Sequence, residues 1–286
     1  MDPERARAAR ELLAFYREAG VDAVVSEEPV NRLADQIPAS APAAVGSGGE
    51  PEARKPDLLS RDLAAWRSRN DGRASAGPAT PSAPPPSPEA AVTAAREAAR
   101  TAASLHELRA ILERFEGCAL KSTATQLVFD DGNAAARVMF VGEAPGRDED
   151  LAGRPFVGRS GKLLDRMMAA IGLDRTSAYI ANIVPWRPPG NRTPTPVETQ
   201  ICLPFIQRQI ELADPDVLIC VGQPSSAALL NVQGIMKNRG RWFTYDTGKR
   251  EIRAMPVLHP AYLLRQPLAK RQAWRDFLAL KKALEG

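Results

Sequence analysis

Four short apolar runs, "RVMFVGE" (137–143), "AYIANIV" (178–184), "DVLICVG" (216–222) and "AMPVLH" (254–259), recur at intervals of roughly forty residues in the second half of the chain. Stretches with helical spacing of apolar residues separate or follow them, at 161–171, 196–212, 224–231 and 270–284. Strands that are apolar on both faces and alternate with helices can be buried only in a parallel sheet covered on both sides. The expected fold class is α/β: a three-layer α/β/α sandwich with a central four-stranded parallel sheet, preceded by a disordered linker and a short N-terminal helix.

Upstream, the composition changes. Residues 35–95 are rich in Ala, Pro, Ser and Gly, with "GPATPSAPPPSP" at 77–88 as the extreme. Such a segment buries too little apolar surface to offset its ordering entropy, which predicts a flexible linker. Within residues 1–34, Leu12, Leu13, Phe15 and Tyr16 followed by Gly20 predict a short amphipathic helix that could dock on the main domain or on a partner. The main domain is expected over 96–286, opening with a helix in "SLHELRAILERFEG" (104–117).

The formal charge of +4 conceals an asymmetry: from Asn133 onward 22 Lys and Arg face 14 Asp and Glu, giving +8, and the remainder carries −4. A basic half suits a polyanion, although basic proteins that bind no nucleic acid are common. No run approaches the ~20 apolar residues of a membrane helix, and the first residues lack the basic-then-apolar order of a signal peptide, so the expected compartment is the cytoplasm. Three widely spaced cysteines, Cys118, Cys202 and Cys220, argue against a disulfide framework.

Ligands of an open α/β sheet bind outside the carboxyl ends of its strands. Those ends deliver Glu143, Asn182, Gly222 with Gln223, and His259 to one rim, a convergence that marks a candidate site. Each has a plainer reading: Glu143 as a helix cap or arginine partner, Phe156 in "GRPFVG" as core, His259 as a structural imidazole. "GRSGKLL" fails the phosphate-loop pattern, since Phe156 stands where its first glycine belongs and Leu163 where its hydroxyl belongs. The proline-stiffened "WRPPGNRTPTPVE" carries Arg187 and Arg192, and "HPAYLLRQP" places Tyr262, Leu263 and Leu264 beside Arg265, an apolar-basic mixture suited to duplex DNA.

"GEAPGRDEDLAGRPFVG", "YIANIVPWRPPGNRTP" and "LHPAYLLR", in that order from about Phe115 to the C-terminus, resemble the family 4 uracil-DNA glycosylases. The resemblance implies an enzyme of DNA repair that flips uracil out of DNA and hydrolyses its N-glycosidic bond. It implies Glu143 as the carboxylate that positions water, Phe156 as the stacking aromatic, Asn182 as the amide that reads the pyrimidine edge, and His259 as the donor near O2. Ala144, Pro145, Gly146 and Glu149 would shape the pocket, and Tyr262 to Arg265 would enter the duplex. DNA containing uracil is the implied partner, acted on by a monomer, with a repair protein as a further candidate for the N-terminal helix. The alternative is a binding module that keeps the fold and recognises DNA or a damaged base without cleavage. A related branch traps DNA through a histidine in the loop after the second strand; "PPGNRTPTP" has none, so ordinary turnover is expected.

One departure concerns metal. The family usually holds a 4Fe-4S cluster on four cysteines; Cys118 and Cys202 match two of them, but Phe115 and Trp186 occupy the other two positions. Thiolate ligation of such a cluster normally takes four. The expectation is therefore no cluster, with Cys220 in the core and the two aromatics filling the volume.

Overall fold

The structure, a computed structural model, describes residues 87–285. The N-terminal helix expected in 1–34 and the linker up to residue 86 lie outside the described residues. Six strands form one sheet: β1 (Asp131–Gly132), β2 (Val138–Gly142), β3 (Tyr179–Asn182), β4 (Val217–Val221), β5 (Phe243–Asp246) and β6 (Glu251–Val257), in the order β1-β3-β2-β4-β6-β5. The four apolar runs are β2, β3, β4 and β6, mutually parallel at the centre. The structure adds two antiparallel edges, β1 on β3 and β5 on β6. These edges carry little apolar signal: β1 has two residues, and β5 buries only one of its four.

The helices are α1 (Pro88–Thr101), α2 (Leu105–Arg114), α3 (Arg147–Ala152), α4 (Arg159–Ala169), α5 (Pro196–Ala213), α6 (Gln223–Leu230), α7 (Ile235–Asn238), α8 (Pro260–Arg265) and α9 (Lys270–Glu285). Helix α1 corrects the linker boundary, because residues 88–95 are helical. Ser87 caps it through the Ala90 amide, and Ala91, Ala95 and Ala99 form a buried stripe. The alanine content that reads as linker is a small-residue face that lets α1 pack closely on α5.

Alternation along the strands divides the core in two. Met139 and Val141 of β2, Leu218 and Cys220 of β4, and Ala254 of β6 face the layer holding α1, α2, α5 and α6. Val138, Phe140, Ile219, Met255 and Val257 face the opposite layer, where Leu164 and Met168 of α4 meet Phe277 and Leu280 of α9. The chain leaves β2 for the second layer and β3 for the first. Adjacent strands whose connections diverge open a crevice at their carboxyl ends, and that crevice lies between Glu143 and Asn182.

Candidate active site

Gly142 and Asn182 are register partners at the ends of β2 and β3. A Cβ on Gly142 would stand 2.4 Å from Asn182 Oδ1 and 2.6 Å from Phe156 Cζ. Only glycine lets the amide and the ring converge there. The Phe156 ring lies 5.8 Å from the His259 ring, centroid to centroid. Glu143, Phe156, Asn182 and His259 thus share one cavity of about 460 Å³, whose wall also includes Ala144, Pro145, Gly146 and Glu149.

Phe156 is held in an unusual backbone. Its φ is +54°, in the left-handed region, where the other non-glycine residues of the described chain are Asn or Asp. A bulky residue there costs of order 1–3 kcal/mol and persists only when its surroundings enforce it. Glu149 supplies part of that enforcement: Oε2 accepts the Gly146 amide (3.1 Å), and Oε1 accepts those of Val157 (3.1 Å) and Gly158 (2.9 Å). One carboxylate thereby fastens the loop after β2 to the loop that carries Phe156. A Cβ on Gly161 would come within 1.6 Å of the Phe156 carbonyl oxygen, so α4 packs directly under it.

Two buried polar atoms in this cavity lack any protein partner, Glu143 Oε1 and Asn182 Oδ1. Such atoms are costly unless a ligand or water completes them. Burial pushes the Glu143 carboxyl above its ordinary pKa. Burial, seconded by the charge of Arg265, drops His259 to about 4, so the imidazole is neutral near pH 7. The Ala261 amide donates to His259 Nδ1 (3.1 Å), which places the imidazole proton on Nε2. The site therefore offers a desolvated carboxyl, an open amide acceptor and a neutral N–H donor around an aromatic ring.

The expected DNA contacts separate. Arg192 and Arg265 line the cavity mouth. Arg192 is already bound by both Glu198 oxygens (2.8 and 2.6 Å), and Glu198 also accepts the Thr195 amide at the start of α5. Arg187 is turned to the protein, donating to Asn191 Oδ1 (2.6 Å) and lying 3.9 Å from buried Asp150. Leu263 must be corrected: it is fully buried against Leu258 and Ala273 and cannot enter a duplex. Leu264, 39% exposed, is the outward leucine, and Tyr262 is half-buried. The run Tyr-Leu-Leu does not say which leucine faces in; the His259 cap sets the phase of α8. Gln223 also leaves the rim, since it binds the Val232 carbonyl (2.8 Å) and the Ile235 amide (2.7 Å) to close the turn after α6. Ser160, Asn191, Thr193 and Ala261 also line the cavity; the only sequence signal they carry is their position beside the strand-end loops.

The model of the Uracil DNA glycosylase superfamily matches residues 129–278, which span every element of this cavity. The chain belongs to the uracil-DNA glycosylase superfamily. It is 39% identical over 165 residues to the Type-4 uracil-DNA glycosylase of Archaeoglobus fulgidus, covering 56% of this chain and 83% of that protein. The proteins of the same name from Thermotoga maritima (41% over 156 residues; 54% and 80% covered) and Saccharolobus solfataricus (37% over 179 residues; 60% and 83% covered) are similar in extent.

The cysteine positions do not fit the four-thiolate cluster that resemblance to the type-4 glycosylases implies. Cys202 Sγ donates to Cys118 Sγ at 3.9 Å, so two thiols in direct contact stand where a cluster normally takes four thiolate ligands. Trp186 is buried in the same core cluster, and Phe115 packs edge-on against Phe205 at 4.9 Å. Cys220 lies within β4, where burial raises its thiol pKa, and it faces the helix layer as core. Among the described residues no group of three or more His, Cys, Asp or Glu is arranged to hold a metal, and no helix is long and apolar enough to cross a membrane.

Proposed function

We propose that this glycosylase hydrolyses the N-glycosidic bond of uracil in DNA, releasing free uracil and leaving an abasic site. The observation that carries the reading is the unpartnered Asn182 Oδ1, set beside the Phe156 ring within one small cavity. Uracil presents an N3–H donor next to the O4 acceptor, and an asparagine accepts the first while donating to the second. Cytosine presents the reverse pattern and would leave both sides unpaired in a desolvated pocket, a penalty that supports discrimination.

Bond cleavage develops positive charge on the sugar and negative charge on the departing uracil. The Glu143 carboxylate orients the attacking water and stabilises the cationic sugar. His259 donates its Nε2 proton in a hydrogen bond to O2; being neutral, it stabilises the uracil anion without having to lose a full charge to the base. Phe156 stacks on the flipped ring, and Glu149 ties the loop that carries it to the loop after β2. Arg265 and Leu264 meet the DNA at the mouth.

The test incubates the full chain with single- and double-stranded oligonucleotides carrying one uracil, followed by hot alkali. Strand scission at the uracil, absent with cytosine in its place, is expected. Tight binding without scission would replace this reading with that of a damaged-base binding protein.

A further inference from the structure

We infer that Arg175 is a positioning residue that acts through Phe156, a role that deepens the proposed reading of the site and rests on it. Arg175 lies outside the cavity, in the turn between α4 and β3. An Asx-type turn presents it: Asp174 Oδ1 accepts the amides of Thr176 (2.9 Å) and Ser177 (3.0 Å). The guanidinium then spends its donors on the loop that bears the stacking ring. Nη1 donates to the Pro155 carbonyl (3.1 Å) and Nη2 to the Phe156 carbonyl, while Nε donates to Asp165 of α4 (2.9 Å) and Nη1 also to Asp131 of β1.

Two successive backbone carbonyls pulled to one planar fork fix the peptide planes on either side of the Phe156 Cα, and those planes define its left-handed conformation. On the amide side, Glu149 holds Val157 and Gly158. Phe156 is thus gripped by a cation at its carbonyl and by an anion at the amides that follow. The two carboxylates that anchor Arg175 come from the edge strand and from α4, so the ring's aim is set by the sheet and a helix together. An ordinary buried ion pair would not need the two carbonyls. Released from this grip, Phe156 would relax toward negative φ and swing its ring away from Asn182.

The test is a double-mutant cycle on kcat/KM with a single-stranded uracil oligonucleotide, combined with inhibition by free uracil. Arg175→Ala is expected to lower kcat/KM about tenfold or more and to raise the inhibition constant of uracil in parallel. In a Phe156→Ala background the same change should cost less than about twofold, because the residue it acts through is gone. Full additivity of the two losses, or an unchanged uracil inhibition constant in Arg175→Ala, would overturn the inference. Arg175→Lys keeps the charge facing Asp131 and Asp165 but loses the fork, so it guards against a folding failure; it should show the same non-additivity at smaller size. Hydrogen exchange at Val157 and Gly158 gives a readout independent of turnover: Arg175→Lys should speed it while strand amides stay protected. If the wild type excises no uracil, the functional reading fails, while exchange still decides whether Arg175 clamps this loop.

Discussion

The Ala261 amide donates to Nδ1 of His259, two residues earlier in the chain, at 3.1 Å, and so fixes which imidazole nitrogen keeps the proton. With the His259 pKa lowered to about 4 by burial, nitrogen-15 spectra are expected to show a neutral, Nε2-protonated ring at all pH values down to about 4. His106 is the only other histidine, so a His106→Gln variant leaves a single imidazole to follow. The sign for stability follows from the unfolded value near 6.5: above it the contribution is complete, and it is lost as pH falls from there toward about 4. His259→Ala should reduce kcat roughly 10²-fold, as removal of one donor to a developing anion does.

Glu143 should reveal itself by an acid limb in kcat/KM displaced above the usual carboxylate range, because burial raises its pKa and the ionised form is the working one. Glu143→Gln should remove that limb and slow hydrolysis by about 10²-fold or more while uracil-DNA binding persists. The native state binds this proton more tightly than the unfolded chain, so the group costs stability as pH rises through its raised pKa. The same variant is therefore expected to melt higher than wild type at neutral pH, a difference that shrinks as the pH falls.

Asn182→Ala should lower kcat/KM for uracil by roughly 10- to 100-fold, the cost of leaving the pyrimidine edge unpaired. Gly142→Ala is the companion change. Its Cβ would stand 2.4 Å from Asn182 Oδ1 and 2.6 Å from Phe156, so activity should collapse with a far smaller change in melting temperature. Parallel activity and thermal-shift measurements on both variants check this.

Iron and sulfide analysis of anaerobically purified protein should find no stoichiometric cluster, and Cys118→Ser with Cys202→Ser should retain excision. Trp186→Ala should instead lose about 3–5 kcal/mol of stability, the cost of emptying a buried aromatic site. Stoichiometric iron in the wild type would refute the packed alternative.

On double-stranded substrate, Leu264→Ala should reduce excision several-fold more than on single strands, because only the duplex must be opened. Leu263→Ala should instead act as a core cavity, lowering the melting temperature without distinguishing the two substrates.

Continuous apolar strands carry a strong signal, and the central sheet with its ring of strand-end residues is readable from four runs of sequence. The edge strands are not, because half-exposed residues pair through backbone groups that any sequence possesses. The phase of α8 escapes as well: adjacent leucines are equivalent until a capping histidine fixes the first turn. Alanines in α1 read as linker because a small residue looks inert until a helix such as α5 approaches closely. Arg175 is invisible for a similar reason, since its partners Asp131 and Asp165 lie on separate elements and its key acceptors are carbonyls.

The Arg192–Glu198 pair at the mouth has a kinetic consequence. An arginine already neutralised by its own protein releases few counterions when a phosphate arrives, so it adds little to the steepness with which rising ionic strength weakens nucleic-acid affinity. Whatever hold the mouth has on an undamaged strand through charge then comes from cations other than Arg192, Arg265 among them.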